Sequence, residues 1–217
     1  MRSIVVLISG SGSNLQAIMD RLAADKLDAK IELVLSNRAD AYGLERAAKV
    51  GIPTAVIDHK QYDSREAFDQ EMIKVIDPIN PELIVLAGFM RILSEGFVEH
   101  YNGRMINIHP ALLPAYKGLN THQRALADGV SHHGASVHYV TPELDSGAVI
   151  VQGRVPVLAG DDEEALETRV HKIEHVVYPE VVTWFANGRL ANRDDIAYLD
   201  GEPLTQPVII DQEAVRI

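Results

Sequence analysis

The chain has 217 residues, 47% of them hydrophobic and 24% charged, with a net charge of -11 and no cysteine. That length buries a full core without covalent staples, and the lack of cysteine excludes disulfides, thiolate nucleophiles and cysteine-bound metals. The acidic balance and the missing basic stripe argue against a general nucleic-acid binder. No apolar run approaches the roughly 18 residues of a membrane span, and the short apolar stretch after Met1-Arg2-Ser3 is too brief for a secretion signal, so a cytoplasmic location is expected. In chain order, Ile4 to Ile8 reads as a strand and Asn14 to Ala24 as a helix. Ile31 to Leu35 is a second strand, Tyr42 to Val50 a helix, and Thr54 to Ile57 a third strand. Ser64 caps a helix running to Ile76. Leu83 to Ala87 is a fourth strand, Ser94 to His100 a short helix, and Met105 to His109 a fifth strand. Short, continuously apolar strands separated by helices predict an α/β, Rossmann-like, mostly parallel sheet with helices on both faces.

The pattern changes after residue 130. Ala135 to Thr141 and Ala148 to Val155 read as strands joined by a turn, an antiparallel C-terminal extension of the sheet. A long helix from Asp162 to Asn187 follows. It opens on acids suited to the positive end of a helix and keeps Leu166, Val170, Ile173, Val177, Val181 and Trp184 on one apolar face. Pro179 is a candidate kink and Gly188 a stop. The segment after Arg189 reads as a polar tail on the surface.

Ligands of open parallel sheets bind beyond the carboxyl ends of the strands, and three motifs fall there. Ser9-Gly10-Ser11-Gly12-Ser13-Asn14 joins the first strand to the first helix. Its small residues and the helix N-terminus suit a phosphate; a plain tight turn would need the same glycines. Leu15 stands where a dinucleotide fingerprint needs its third glycine, and the loop does not end as a P-loop does. Gly88-Phe89-Met90-Arg91-Ile92-Leu93 follows the fourth strand and carries large apolar residues, which either line a pocket for a flat heteroaromatic ligand or return to the core. The third motif is Asn107 and His109, two apart at the tip of the fifth strand and therefore on one face. Asp145 in the later turn, and His138 on the strand before it, are their possible partners. A carboxylate beside an imidazole orients the ring, and a cationic imidazole beside an amide stabilises an oxyanion. Singly, each has a bland reading as a hydrogen-bonded histidine or a turn former; the conjunction of amide and imidazole favours chemistry. His132-His133 reads as a solvated loop. No Gly-x-Ser-x-Gly nucleophile elbow occurs.

Four segments taken together resemble a known family: Ile8 to Leu15, Leu86 to Leu93, Asn107-Ile108-His109-Pro110-Ala111-Leu112-Leu113-Pro114, and Ser136-Val137-His138 with Leu144-Asp145-Ser146-Gly147. In this order they are similar to the folate-dependent formyltransferase family, in its branch acting on glycinamide ribonucleotide. The similarity runs from residue 4 to about 200. It implies the formyltransferase fold as one domain over 1–200, with a phosphate-binding half over 1–104, a catalytic half over 105–200, and a surface tail over 201–217. It implies 10-formyltetrahydrofolate as formyl donor and co-substrate, glycinamide ribonucleotide as acceptor, and no metal. The implied catalytic residues are Asn107, His109 and Asp145. Gly12, Ser13 and Asn14 would hold the phosphate and Glu174 the ribose. Arg65, Met90, Arg91, Ile92, Leu93, Val140, Thr141 and Leu144 would receive the folate. His171 stands where the family has a glutamine near the ribonucleotide. Ala115 and Lys117 flank Tyr116 where lysine and proline are usual.

Other readings are a formyltetrahydrofolate hydrolase, usually preceded by a regulatory module, and a noncatalytic sugar-phosphate binding module. A methionyl-tRNA formyltransferase would carry a further C-terminal domain and basic surface. A nicotinamide oxidoreductase would carry an acid after the second strand, where Ser36-Asn37-Arg38 stands. The expected assembly is a monomer or weak homodimer, without nucleic acid or membrane partners.

Overall fold

A computed structural model describes residues 1–215. These fall into two compact units: Met1–Asn107 with Val140–Pro142, and Ile108–Tyr139 with the described chain from Glu143 on.

The first unit follows its apolar runs closely. Strands β1 (Arg2–Ile8), β2 (Ala29–Ser36), β3 (Thr54–Val56), β4 (Leu83–Leu86) and the part of β5 (Met105–His109) up to Asn107 alternate with helices α1 (Ser13–Ala24), α2 (Tyr42–Lys49), α3 (Arg65–Ile76) and α4 (Glu95–His100). Every pairing is parallel, in the order β5-β4-β1-β2-β3. Ile4 to Ile8 are fully buried, which explains an apolar run rather than an alternation: both faces of β1 are covered. Val5 and Leu7 pack with Phe68, Met72 and Ile76 of α3 and Phe97 of α4. On the other face Ile8 lies against Gly43 of α2. Ser64 caps α3 by accepting the Ala67 N–H at 3.0 Å, and Ser94 caps α4 through the Phe97 N–H at 3.3 Å. The chain leaves β1 for β2 and β3, then returns to lay β4 on the opposite side of β1. That reversal opens a crevice between the carboxyl ends of β1 and β4, where the first two candidate loops start.

The second unit contains α5 (Thr121–Ala127), β6 (His132–Tyr139), β7 (Val149–Pro156), α6 (Glu163–Ala186), β8 (Leu190–Arg193), β9 (Ile196–Leu199), β10 (Glu202–Pro203), β11 (Val208–Asp211) and α7 (Gln212–Val215). β6 and β7 pair antiparallel as expected, and β11 adds parallel to β7. Helix α6 is capped by Asp162, which accepts the Ala165 N–H at 2.8 Å. It buries the predicted face from Leu166 to Trp184 and is continuous through Pro179. Two parts departed from expectation. α5 went unseen: seven residues are too few for a period to show. Beyond Arg189 the polar pattern concealed β8, β9 and β10, a separate antiparallel sheet, and β11. These strands are short: β8 and β9 bury one residue each, Leu190 and Ala197, and β10 and β11 bury none. Their turns were legible: Asp194 and Asp195, then Asp200 and Gly201, all take positive φ, and an Asp-Gly pair is a strong hairpin signal.

Candidate active site

The glycine loop owes its shape to one close approach. Gly12 takes φ 70 as the residue before α1, and a Cβ there would lie 2.6 Å from the Cα of Gly43. A Cβ on Gly43 would meet Ile8 at 2.5 Å. The contact is fixed by the Gly43 N–H donating to the Gly10 carbonyl at 3.0 Å and by Arg46 Nε donating to the Ser11 carbonyl at 2.8 Å. Helix α1 has no side-chain cap and no acid in its first turn. The first-turn N–H groups of such a helix have no intrahelical acceptor, so they and the helix dipole favour an anion at Gly12, Ser13 and Asn14. Gly43 and Arg46 were not anticipated from the sequence, since their function is to shape a neighbouring loop.

The loop after β4 resolves the choice between pocket and core by dividing. Phe89 and Leu93 are buried in the core, whereas Met90 is 76% and Ile92 59% exposed. Arg65, Glu66, Met90, Arg91 and Ile92 line a cavity of about 520 Å³, ample for a ring system. The Leu93 side chain belongs to the core and is not part of that lining. Val140 packs on the same core, and its N–H donates to the Met105 carbonyl at 3.0 Å. Thr141 is half-buried. In the second unit, Leu144 is 51% exposed.

His109 and Asp145 meet within the second unit, both buried, with Nδ1 and Oδ2 3.5 Å apart. His109 Nε2 donates to the Tyr116 carbonyl at 2.9 Å. Both ring nitrogens thus face acceptors. Asp145 Oδ2 accepts the Gly118 N–H at 2.9 Å, and Oδ1 lies 3.9 Å from His138 Nε2. Asp145 itself takes φ 51, a conformation aspartate tolerates better than most residues. Asn107 stands half-buried on β5, on the face that β5 also gives to His109. His138 is buried and donates Nδ1–H to the Tyr139 carbonyl at 2.8 Å; burial lowers its pKa, with the Asp145 charge a weaker opposing influence. The backbone partners from Tyr116 and Gly118 left no mark in the sequence, because any residue supplies a carbonyl or an N–H.

A formyl transferase family model matches residues 2–182. The chain belongs to the formyl transferase family. It is 55% identical to a phosphoribosylglycinamide formyltransferase of Escherichia coli strain K12, over 93% of this chain and 95% of that one. It is 45% identical to part of the human trifunctional purine biosynthetic protein adenosine-3, covering 85% of this chain and 18% of that one. Among solved structures, the phosphoribosylglycinamide formyltransferase of Coxiella burnetii in complex with CHES superimposes with a TM-score of 0.91 at 54% identity, over 96% of this chain and 99% of that one. The glycinamide ribonucleotide transformylase 1 of Symbiobacterium toebii gives 0.87 at 42% identity, over 92% and 94%.

The remaining positions in this formyl transferase are as follows. Glu174 is a buried carboxylate on α6, 4% exposed. His171, one turn earlier, has a half-exposed side chain 3.9 Å from Glu167. His132 and His133, expected in a solvated loop, instead open β6. The strand turns them to opposite sides, so His132 is exposed while His133 is buried. The His133 ring packs edge-on to those of His122 and Tyr116, at 5.2 Å and 5.8 Å. Burial, with help from His122 and His109, pushes its pKa down to about 4. No helix among the described residues is long and apolar enough to cross a membrane.

Proposed function

We propose that the chain transfers the formyl group of 10-formyltetrahydrofolate to the amine of glycinamide ribonucleotide, giving formylglycinamide ribonucleotide and tetrahydrofolate, in the cytoplasmic de novo synthesis of purines. The observation that carries this reading is the buried pair of Asp145 with His109, which stands on the strand that also bears Asn107. The names and coverage of the relatives support the same reading. A noncatalytic sugar-phosphate module would explain the glycine loop but gives no reason to bury an imidazole against a carboxylate.

In the proposed reaction the neutral amine attacks the formyl carbon. The carbonyl π electrons move to oxygen, and a tetrahedral oxyanion forms. Asn107 donates a hydrogen bond to that oxygen, and the His109 imidazolium stabilises it and mediates proton transfer. Asp145 holds the ring oriented and charged. The proton lost by the attacking amine ends on N10 of the folate as the carbon–N10 bond breaks. His109 Nε2–H is engaged by the Tyr116 carbonyl, so productive binding exchanges that carbonyl for the reacting oxygen. Donors placed where negative charge develops act on the transition state more than on bound substrate.

The phosphate is assigned to Gly12, Ser13 and Asn14, and the ribose hydroxyls to the Glu174 carboxylate. Arg65 pairs with the acidic tail of the folate. The ring system lies along Met90, Arg91, Ile92 and the Leu93 backbone, with Val140 and Thr141 completing its surroundings in the first unit. The testing experiment is a turnover assay with both substrates and a control lacking ribonucleotide. Formylated ribonucleotide appearing in step with tetrahydrofolate supports the proposal. Tetrahydrofolate released equally without ribonucleotide would make the chain a hydrolase, and ribonucleotide binding without turnover would make it a binding module.

A further inference from the structure

The serine that opens the glycine loop does not face a ligand. Ser9 is 5% exposed, and its hydroxyl is used twice inside the first unit. It accepts the Met90 backbone N–H at 2.8 Å and donates its own proton to Asn37 Oδ1 at 2.6 Å. Asn37, the residue after β2, is itself buried. Its Nδ2 lies 3.2 Å from His59 Nδ1, which also lies 3.1 Å from the Asn37 carbonyl. The ring nitrogen serves one of these at a time, accepting from the amide or donating to the carbonyl. Ser36-Asn37-Arg38, read from sequence only as the lack of an acid after the second strand, thus belongs to a buried polar chain. That chain links the ends of β1 and β2 and the segment after β3 to the loop after β4.

The far end of that loop is tied as well. The Ser94 N–H donates to Asp69 Oδ2 at 2.6 Å, and Asp69 is 1% exposed. Between the two ties stand Met90 and Ile92, held out in water at the mouth of the cavity. Large apolar side chains gain nothing by exposure, so the loop needs anchors to keep this shape before a ligand covers it. Ser94 also caps α4, and Asp69 holds that cap residue, so both have a structural use. Ser9 and Asn37 cap no helix; the Ser9 hydroxyl serves the Met90 N–H and Asn37.

We propose that Ser9, held by Asn37, is a positioning residue for the reduced folate: it fixes the Met90 backbone so that Met90 and Ile92 are presented to the ring system. This rests on reading residues 88–94 as the folate loop. The glycine loop has separate fixings, the Gly43 N–H and the Arg46 guanidinium. The effect of losing the Ser9 hydroxyl is therefore confined to one substrate.

The test uses the full chain, with tetrahydrofolate and glycinamide ribonucleotide as separate binding probes, followed by steady-state turnover. Loss of one neutral hydrogen bond predicts that Ser9→Ala raises the Kd of tetrahydrofolate and the KM of the formyl donor about three- to tenfold. Ribonucleotide Kd and kcat stay within about twofold. Asn37→Ala gives a smaller change in the same direction. The double variant is no weaker than Ser9→Ala alone, since the two act in one chain. Unchanged folate binding in Ser9→Ala, or equal weakening of both ligands, would overturn the proposal. If Ser9→Ala does not fold, Asn37→Ala carries the same test. Failure of the unaltered protein to bind tetrahydrofolate would remove the functional reading itself, and this inference with it.

Discussion

In the proposed reaction the two units would serve their ligands by opposite means. The first unit offers backbone. Its loops after β1 and β4 are held by buried neutral contacts: Gly12 against Gly43, and the Met90 N–H on Ser9. The second unit offers charge. His109, His122, His133, His138 and Asp145 are all buried there, and burial is the largest cause that pushes the pKa values of His122, His133 and His138 down. A phosphate and a planar ring need fixed shape and dipoles, which backbone supplies without titrating. Moving a proton needs groups whose charge can change, and these are costly to bury. The contrast predicts that damage to the loops after β1 and β4 appears in binding and damage to the His109–Asp145 pair in turnover.

The largest expected effect is in the second unit. His109→Asn should lower kcat about a thousandfold or more while substrate Kd values stay within a few-fold, because it removes the proton-transfer group and keeps a hydrogen-bonding side chain. Steady-state kinetics with direct binding measurements checks both numbers. A next, smaller effect belongs to the first unit. Glycinamide riboside, lacking the phosphate, should show KM raised about a hundredfold, as several charge-assisted hydrogen bonds at α1 are lost. An unchanged KM would place the phosphate elsewhere and dissolve the comparison.

The smallest effect is on stability. His133 titrates at 6.5 unfolded and at about 4 in the fold. Between those values the unfolded chain binds a proton that the folded chain refuses, so this contribution is full above about pH 6.5 and is lost as pH falls toward 4. Urea unfolding at pH 7 and pH 5 should show a loss that His133→Gln reduces, on the order of 1–3 kcal/mol. The remainder of the slope falls to His122 and His138. An identical slope in the variant would show that the ring does not titrate as its burial dictates.

Much of this was legible in the residues. Continuous apolar runs betrayed the parallel strands because both faces of β1 are covered. Asn107, His109 and Asp145 stood out because an amide, an imidazole and a carboxylate at strand ends are hard to explain by packing. What escaped notice has a common physical character. Gly43, Tyr116 and Gly118 act through backbone atoms that every residue shares. Ser9 and Asn37 look like ordinary turn residues until a strand order puts them together. His133 was misplaced because a polar pair at a strand start reads as loop, whereas β6 already begins at His132 and turns His133 inward.

The most direct test of the central claim is single-turnover formyl transfer by Asp145→Asn with both substrates saturating. Asparagine is nearly isosteric, tolerates the left-handed backbone at this position, and keeps an oxygen for the Gly118 N–H; only the charge facing His109 is lost. The account predicts a chemical step slowed about a hundredfold or more with ribonucleotide Kd unchanged. A step within about twofold of the unaltered protein would mean that the buried carboxylate takes no part in the reaction.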